Sequence, residues 1–286
     1  MRDEGDRPSM KVLLTGASGL IGGRLAIALA AAGHEVIAAG RNPRPGQGGA
    51  TLVVDFSEPP SADWWAARLH GVDIVINAVG IFRERGRQRF DVLHTRAPVA
   101  LFEGAARAGT RLVVQLSALG SDAGAATPYH RSKHRADEAL RAMPVASVIV
   151  QPSLVYAPEG ASSRLFRRLA LLPVLAPPGT DAPVQPIHVE DLAEAIVRMV
   201  QVPRTGSVTV PAVGPEPMTL ACYLARLRRA LGVERPAWRL RVPPSVALPA
   251  ARLLARLPGS LVDADAVRML LRGQSADPSA IACWLG

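Results

Sequence analysis

A short apolar run, Lys11 to Thr15, leads directly into Gly16-Ala17-Ser18-Gly19-Leu20-Ile21-Gly22 and from there into a helical pattern over Leu20 to Ala32. A strand that turns through G-x-x-G-x-x-G into a helix presents free amide groups and the positive end of a helix dipole, which together cradle phosphate. In a chain with 25 glycines the spacing alone is a weak signal. Its place between a strand and a helix makes it specific. Gly16 is expected to make the tight turn, Gly19 to admit phosphates, and Gly22 to let helix and strand pack closely. Ser18, Leu20 and Ile21 complete the expected binding turn.

The same alternation continues down the chain. Strands are expected at Glu35 to Ala39, Thr51 to Val54, Val72 to Asn77, Arg111 to Leu116, Val145 to Gln151 and Val184 to His188. Helices are expected between them at Ala62 to His70, Pro98 to Ala108, Pro128 to Ala142 and Asp191 to Val200. Strands alternating with helices define α/β architecture, here a Rossmann-type doubly wound parallel sheet. Beyond Gln201 proline becomes frequent and the rhythm dissolves, so a smaller, mostly helical C-terminal lobe is expected. The expected division is a flexible tail over 1–9, a nucleotide-binding domain over 10–157 with 183–203 returning to it, and the lobe over 158–286.

Composition narrows the function classes. Apolar residues are 49% of the chain and charged ones 20%, a profile of compact globules. The net charge of +9 suggests an anionic partner, but the basic residues are spread along the chain and only Lys11 and Lys133 are lysines. The densest stretch, Arg83, Arg85, Arg87 and Arg89, is broken by Glu84 and flanked only by Phe82 and Phe90, so no nucleic acid is expected. Cys222 and Cys283 form neither a disulfide framework nor a metal-ligand spacing. A cytoplasmic protein without a metal or a transmembrane segment is expected.

A cofactor preference is legible after the second strand, where an acid would bind a ribose hydroxyl and an arginine a 2′-phosphate. That place reads Gly40-Arg41-Asn42-Pro43-Arg44. Arg41, with Arg44 in reserve, points to NADP(H) over NAD(H). Asp55 and Phe56 follow the third strand, where adenine would lie. Ala78, Val79 and Gly80 end the fourth with small residues that let backbone approach a dinucleotide.

Pro128-Tyr129-His130-Arg131-Ser132-Lys133 carries Y-x-x-x-K. With three Tyr and two Lys, that pair arises by accident at roughly 2 per cent, which makes it the most informative motif here. Thr127 can cap the helix and Pro128 suits its first turn, so Tyr129 and Lys133 share a face. An ammonium beside a phenol lowers its pKa and equips it for proton exchange with an alcohol or carbonyl. The alternative is a surface helix on which Lys133 pairs with Asp137.

Taken in order, T-G-A-S-G-L-I-G, N-A-V-G, Y-x-x-x-K, Gln151 to Tyr156 and Pro186 to Ala193 resemble the extended short-chain dehydrogenase/reductase superfamily over residues 10 to 200. Asn77 to Glu84 and Leu116 to Asp122 are similar to an atypical branch that includes the NADPH-binding accessory subunit of respiratory complex I. The resemblance implies Tyr129, Lys133 and Ser117 as catalytic residues, with Ser121 a second candidate. It places Lys133, Pro152, Ser153 and Val155 against the nicotinamide end of the cofactor. His94 stands where the family has a relay asparagine, and Gln151 where relatives carry arginine. Two functions follow: an NADP(H)-dependent oxidoreductase or epimerase on a small-molecule carbonyl or alcohol, or a non-catalytic accessory protein. A further amphipathic helix is expected from Ala250, with Leu253, Leu254 and Leu257 on one face and Arg252 and Arg256 on another. It would cover the protein's own cleft, or rest on a peripheral membrane or protein partner.

Overall fold

The computed structural model describes residues 9–43, 49–178, 181–256 and 262–285. The chain runs β1 (Lys11–Thr15), α1 (Leu20–Ala31), β2 (Glu35–Gly40), β3 (Ala50–Val53), α2 (Ala62–Arg68), β4 (Ile74–Asn77), a π-helical turn (Asp91–Arg96), α3 (Ala97–Ala108), β5 (Leu112–Leu116), α4 (Pro128–Arg141) and β6 (Ser147–Pro152). It continues as β7 (Val155–Tyr156), α5 (Ala161–Ala170), β8 (Val174–Leu175), β9 (Pro183–Val184), β10 (Ile187–His188), α6 (Val189–Gln201) and β11 (Ser207–Ala212). Last come β12 (Met218–Thr219), α7 (Leu220–Ala230), β13 (Trp238–Arg239), α8 (Pro244–Leu254), α9 (Ala264–Arg272) and α10 (Ser279–Ala282).

Two compact units result. The first comprises the described residues up to Gln151, Glu190–Val210 and those from Cys283 on; the second comprises Pro152–Val189 and Pro211–Ala282. The main sheet has the order β11-β6-β5-β4-β1-β2-β3. Its internal pairs are parallel, giving the doubly wound α/β fold. Order reverses between β1 and β4, and a crevice opens beyond the carboxyl ends of strands at such a switch point. The core holds Leu13, Val75, Val113 and Ile149 on successive strands against Trp65, Leu101, Phe102 and Leu140 on the helices. Each such side chain contributes about 1.5–3 kcal/mol when fully buried.

Several boundaries differ from the sequence expectation for identifiable reasons. The helix expected from Pro98 is preceded by the π turn, which buries Val92, Leu93 and His94. Pro98 lacks the N–H that a start signal makes dispensable, but here helical backbone is already established upstream. The seventh strand, Ser207–Ala212, was not expected, because Pro211 argues against a central strand. It lies at the sheet edge, where proline is tolerated. The single strand expected over Val184 to His188 is two, split by Pro186: β9 pairs antiparallel with β12, and β10 parallel with β7. The helix expected from Ala250 begins at Pro244 and contains Pro249. Its buried face is Ala247 and Ala251, while Leu253 is 63% exposed. Arg44 and Leu257 lie outside the described residues.

Candidate active site

The first unit brings the glycine turn to the switch point. Gly16 has φ +74°, and a Cβ there would lie 2.6 Å from the Ala78 carbonyl oxygen. At Gly22 a Cβ would lie 2.2 Å from the Gly16 carbonyl oxygen, so α1 sits this close to the end of β1 only because position 22 is glycine. The N-cap of α1 is Gly19, which provides no side-chain acceptor. The first amides of the helix, including those of Leu20 and Ile21, are thereby left for an external anion.

A cleft of about 170 Å³ opens at this turn. Of the sequence-selected residues it collects Gly16, Ser18, Gly19, Arg41, Asp55, Phe56, Ala78, Val79 and Gly80. Gly22 supports it from behind. Sequence reasoning missed Gly40, Ser57, Ile81, Gln88 and Leu93, which also line it. Ser57 had a local signal: its N–H and hydroxyl both donate to Asp55 Oδ1, and these bonds hold the Asp55 carboxyl below its usual range. Gln88 and Leu93 carried none, since the turn and the π helix that place them have no sequence signature. Arg41 is exposed and forms no ion pair among the described residues.

Thr127 caps α4 by accepting the His130 N–H, with Pro128 in the first turn, as the sequence implied. Tyr129 and Lys133 share its buried face. The surface pairing of Lys133 with Asp137 does not occur: both are buried, with no ion pair between them among the described residues. Lys133 Nζ donates to the carbonyl oxygens of Leu116 (2.8 Å) and Val79 (3.4 Å), which puts the ammonium at the Val79–Gly80 wall of the cleft. Burial lowers its pKa to about 8, against the pull of Asp137, so it stays mostly charged at neutral pH.

The Tyr129 phenol departs from expectation. Burial, then the Asp137 carboxylate, push its pKa up rather than down. Its ring is 8% exposed, stacked under Phe82 (centroids 5.5 Å apart) and edge-on to Phe90, His94 and His130. Phe82 itself is 73% exposed. Ser117 is buried as well. Its hydroxyl donates to the buried Asp137 carboxylate. Gln151 reaches the same oxygen at only 3.5 Å, and Asp137 Oδ1 has no partner. Burial raises the Asp137 pKa to about 6 despite the Ser117 bond and Lys133. Ser121 has a buried hydroxyl with no partner among the described residues.

His94 is not free for a proton relay. Its Nε2 accepts the Ile81 N–H at 3.0 Å, so Nδ1 carries the proton toward Ser132 Oγ (3.0 Å), which donates onward to the Tyr129 carbonyl. Burial first, and Lys133 second, lower its pKa from 6.5 to about 2. Between those values the unfolded chain binds the extra proton, so this residue's contribution to stability falls as pH drops below 6.5. Urea unfolding at about pH 7.5 and about pH 5 is expected to cost the native protein about 2 kcal/mol more than His94→Asn, while Asp137, working in the opposite sense, cancels from the comparison. Equal losses in the two proteins would show that the imidazole is not held neutral.

The model of the NAD dependent epimerase/dehydratase family matches residues 12–211, and the chain belongs to that family. Among curated relatives, it is 28% identical to a protein named ceramide reductase from Caulobacter vibrioides over 88% of this chain and 77% of that one. It is 24% identical to the mitochondrial NADH-ubiquinone oxidoreductase 40 kDa subunit of Neurospora crassa over 98% and 76%. The resemblance to the complex I subunit branch is thus met. The fold is shared with an NADPH-dependent quinone oxidoreductase from Escherichia coli solved with NADPH (TM-score 0.75, 17% identity, 96% and 94% covered). No helix among the described residues is long and apolar enough to cross a membrane.

Proposed function

We propose that this chain is an NADP(H)-dependent oxidoreductase that reduces a carbonyl on an apolar small-molecule substrate through Tyr129 and Lys133. The observation that carries the reading is the Lys133 ammonium lying directly behind Val79 and Gly80, two of the residues that line the cleft at the glycine turn. The fit of a dinucleotide rests on the space left by the absent Cβ atoms of Gly16 and Gly22 and on the uncapped start of α1. Gly16, Ser18, Gly19, Leu20, Ile21 and Gly22 would hold the pyrophosphate, Asp55 and Phe56 the adenine, and Ala78, Val79, Gly80 and Lys133 the remainder. Pro152, Ser153 and Val155 belong to the second unit and stay candidates on the sequence resemblance alone. When bound, the nicotinamide supplies the hydride.

The chain's own groups handle the proton. Tyr129 is protonated at neutral pH and would donate its phenolic proton to the carbonyl oxygen as hydride arrives at the carbon. Ser117, with Ser121 as the second candidate, would hydrogen-bond that oxygen. Exposed Phe82 over Tyr129 supplies an apolar wall, and the relative named ceramide reductase supports a ketone reductase. Cys222 and Cys283 form no disulfide among the described residues, which fits a reducing cytoplasm. Peripheral contact of α8 with a membrane or protein partner belongs to the same reading, since Leu253 and Leu254 stand exposed.

The unpaired Arg41 in the cleft favours NADP(H). A charge-assisted phosphate contact contributes about 1.5–3 kcal/mol, so NADPH is expected to bind roughly tenfold to a hundredfold more tightly than NADH. Calorimetric titration should show the gap narrowing in Arg41→Ala, and equal affinities in the native protein would remove this assignment.

A second reading is a non-catalytic NADPH-binding accessory protein. It is favoured by the aromatic cover over Tyr129 and by the similarity to a respiratory-complex subunit.

A further inference from the structure

In the second unit α5 ends at Ala170, and the chain turns a corner through Leu171, Leu172 and Pro173 into β8. The corner is held from beneath. The buried Arg228 guanidinium donates to the carbonyls of Ala170 (2.8 Å), Leu172 (2.9 Å) and, through Nε, Arg235 (2.7 Å). Pairing of β8 with β13 sets Val174 beside Trp238, and strand alternation puts Leu240 on the same side, opposite buried Leu175. Trp238 is 81% exposed, more than any other large apolar side chain among the described residues.

The surroundings of this ridge are cationic. Segments 159–178 and 226–241 hold nine arginines and two acids, Glu159 and Glu234. Arg167, Arg168, Arg229 and Arg235 form no ion pair among the described residues, whereas Arg226 pairs with Glu216 and Arg241 with Asp181. Arg164, Arg167 and Arg168 line, with Leu171 and Leu231, a depression of about 190 Å³. A rigid apolar ridge with an exposed tryptophan, bordered by unpaired guanidinium groups, combines two signals. Tryptophan settles at the boundary between headgroups and acyl chains, and cations meet lipid phosphates beside it.

We propose that this face docks the chain on the surface of an anionic phospholipid bilayer. Leu171, Leu172, Val174, Trp238 and Leu240 enter the headgroup region, and the arginines neutralise the lipid charge. The proposal does not depend on the reading of the cleft, and it uses a face other than the exposed leucines of α8.

Vesicle sedimentation of the full chain tests it, with phosphatidylcholine alone and with phosphatidylcholine mixed with phosphatidylglycerol, at low and high salt. Binding is expected only with phosphatidylglycerol, with salt weakening it about tenfold or more. A blue shift of tryptophan emission should accompany binding and disappear in Trp238→Phe. Trp238→Ser should weaken binding about fivefold or more without lowering the thermal midpoint. Arg167→Glu with Arg168→Glu should abolish the preference for phosphatidylglycerol. Native levels of binding in Trp238→Ser, binding lost only in Leu253→Glu on α8, or no sedimentation with either vesicle would overturn the proposal. So would a dimer in the native protein that Trp238→Ser dissociates, which would assign the face to a second copy of the chain.

Discussion

Replacing Tyr129 by Phe is expected to lower ketone reduction by about 10²–10⁴-fold, the range for removing a positioned general acid. NADPH affinity should stay within a few fold. The separation follows from the site: the ring is packed by Phe82, Phe90, His94 and His130, contacts that phenylalanine keeps, so the variant loses the proton and little else. Lys133→Met should behave differently. It removes the ammonium from the cleft wall and leaves the buried Leu116 carbonyl without its donor, so affinity and turnover should both fall. Steady-state rates paired with calorimetric titration of NADPH make the comparison. Unchanged turnover in Tyr129→Phe would transfer the chemistry to another residue.

The second large effect is expected at Gly22. An alanine Cβ there meets the Gly16 carbonyl at 2.2 Å, and the obstacle is backbone, which cannot rotate aside as a side chain can. Either α1 lifts from β1 or the turn opens, and each dismantles the cradle. Gly22→Ala should cost about 3 kcal/mol or more by urea unfolding, and NADPH should no longer raise its thermal midpoint. The adjacent Gly23→Ala is the control. Its Cβ meets only the Ala17 carbonyl at 3.5 Å, an ordinary contact, and alanine is about 1 kcal/mol better than glycine within a helix. It should be at least as stable as the native protein. Similar behaviour of the two variants would mean that the turn is looser than described.

The parallel sheet and the glycine turn were legible because they are local. An apolar run, a glycine at each required offset and a helix pattern follow one another within a dozen residues, and the structure uses Gly16 and Gly22 for the steric reasons their spacing implied. The cap at Thr127 was legible for the same reason. What the sequence hid was set by tertiary surroundings. Whether Lys133 lowers the Tyr129 pKa depends on where the ammonium points, and it points to the Leu116 and Val79 carbonyls. Whether the Ser117 hydroxyl is free depends on Asp137, twenty residues away in sequence, whose carboxylate accepts it. The π turn went unseen because it has no sequence signature and Pro98, just after it, reads as a helix start; the edge strand Ser207–Ala212 went unseen because it carries Pro211.

The most direct test of the central reading follows nicotinamide absorbance after mixing the protein with NADPH and a series of apolar ketones. The expected result is oxidation that requires a ketone, runs faster with NADPH than with NADH, and vanishes in Tyr129→Phe. The contradicting result is NADPH held with the expected affinity but consumed by none of the ketones, with native and Tyr129→Phe proteins indistinguishable; the chain would then be a nucleotide-binding accessory protein whose Tyr-Lys pair does no chemistry.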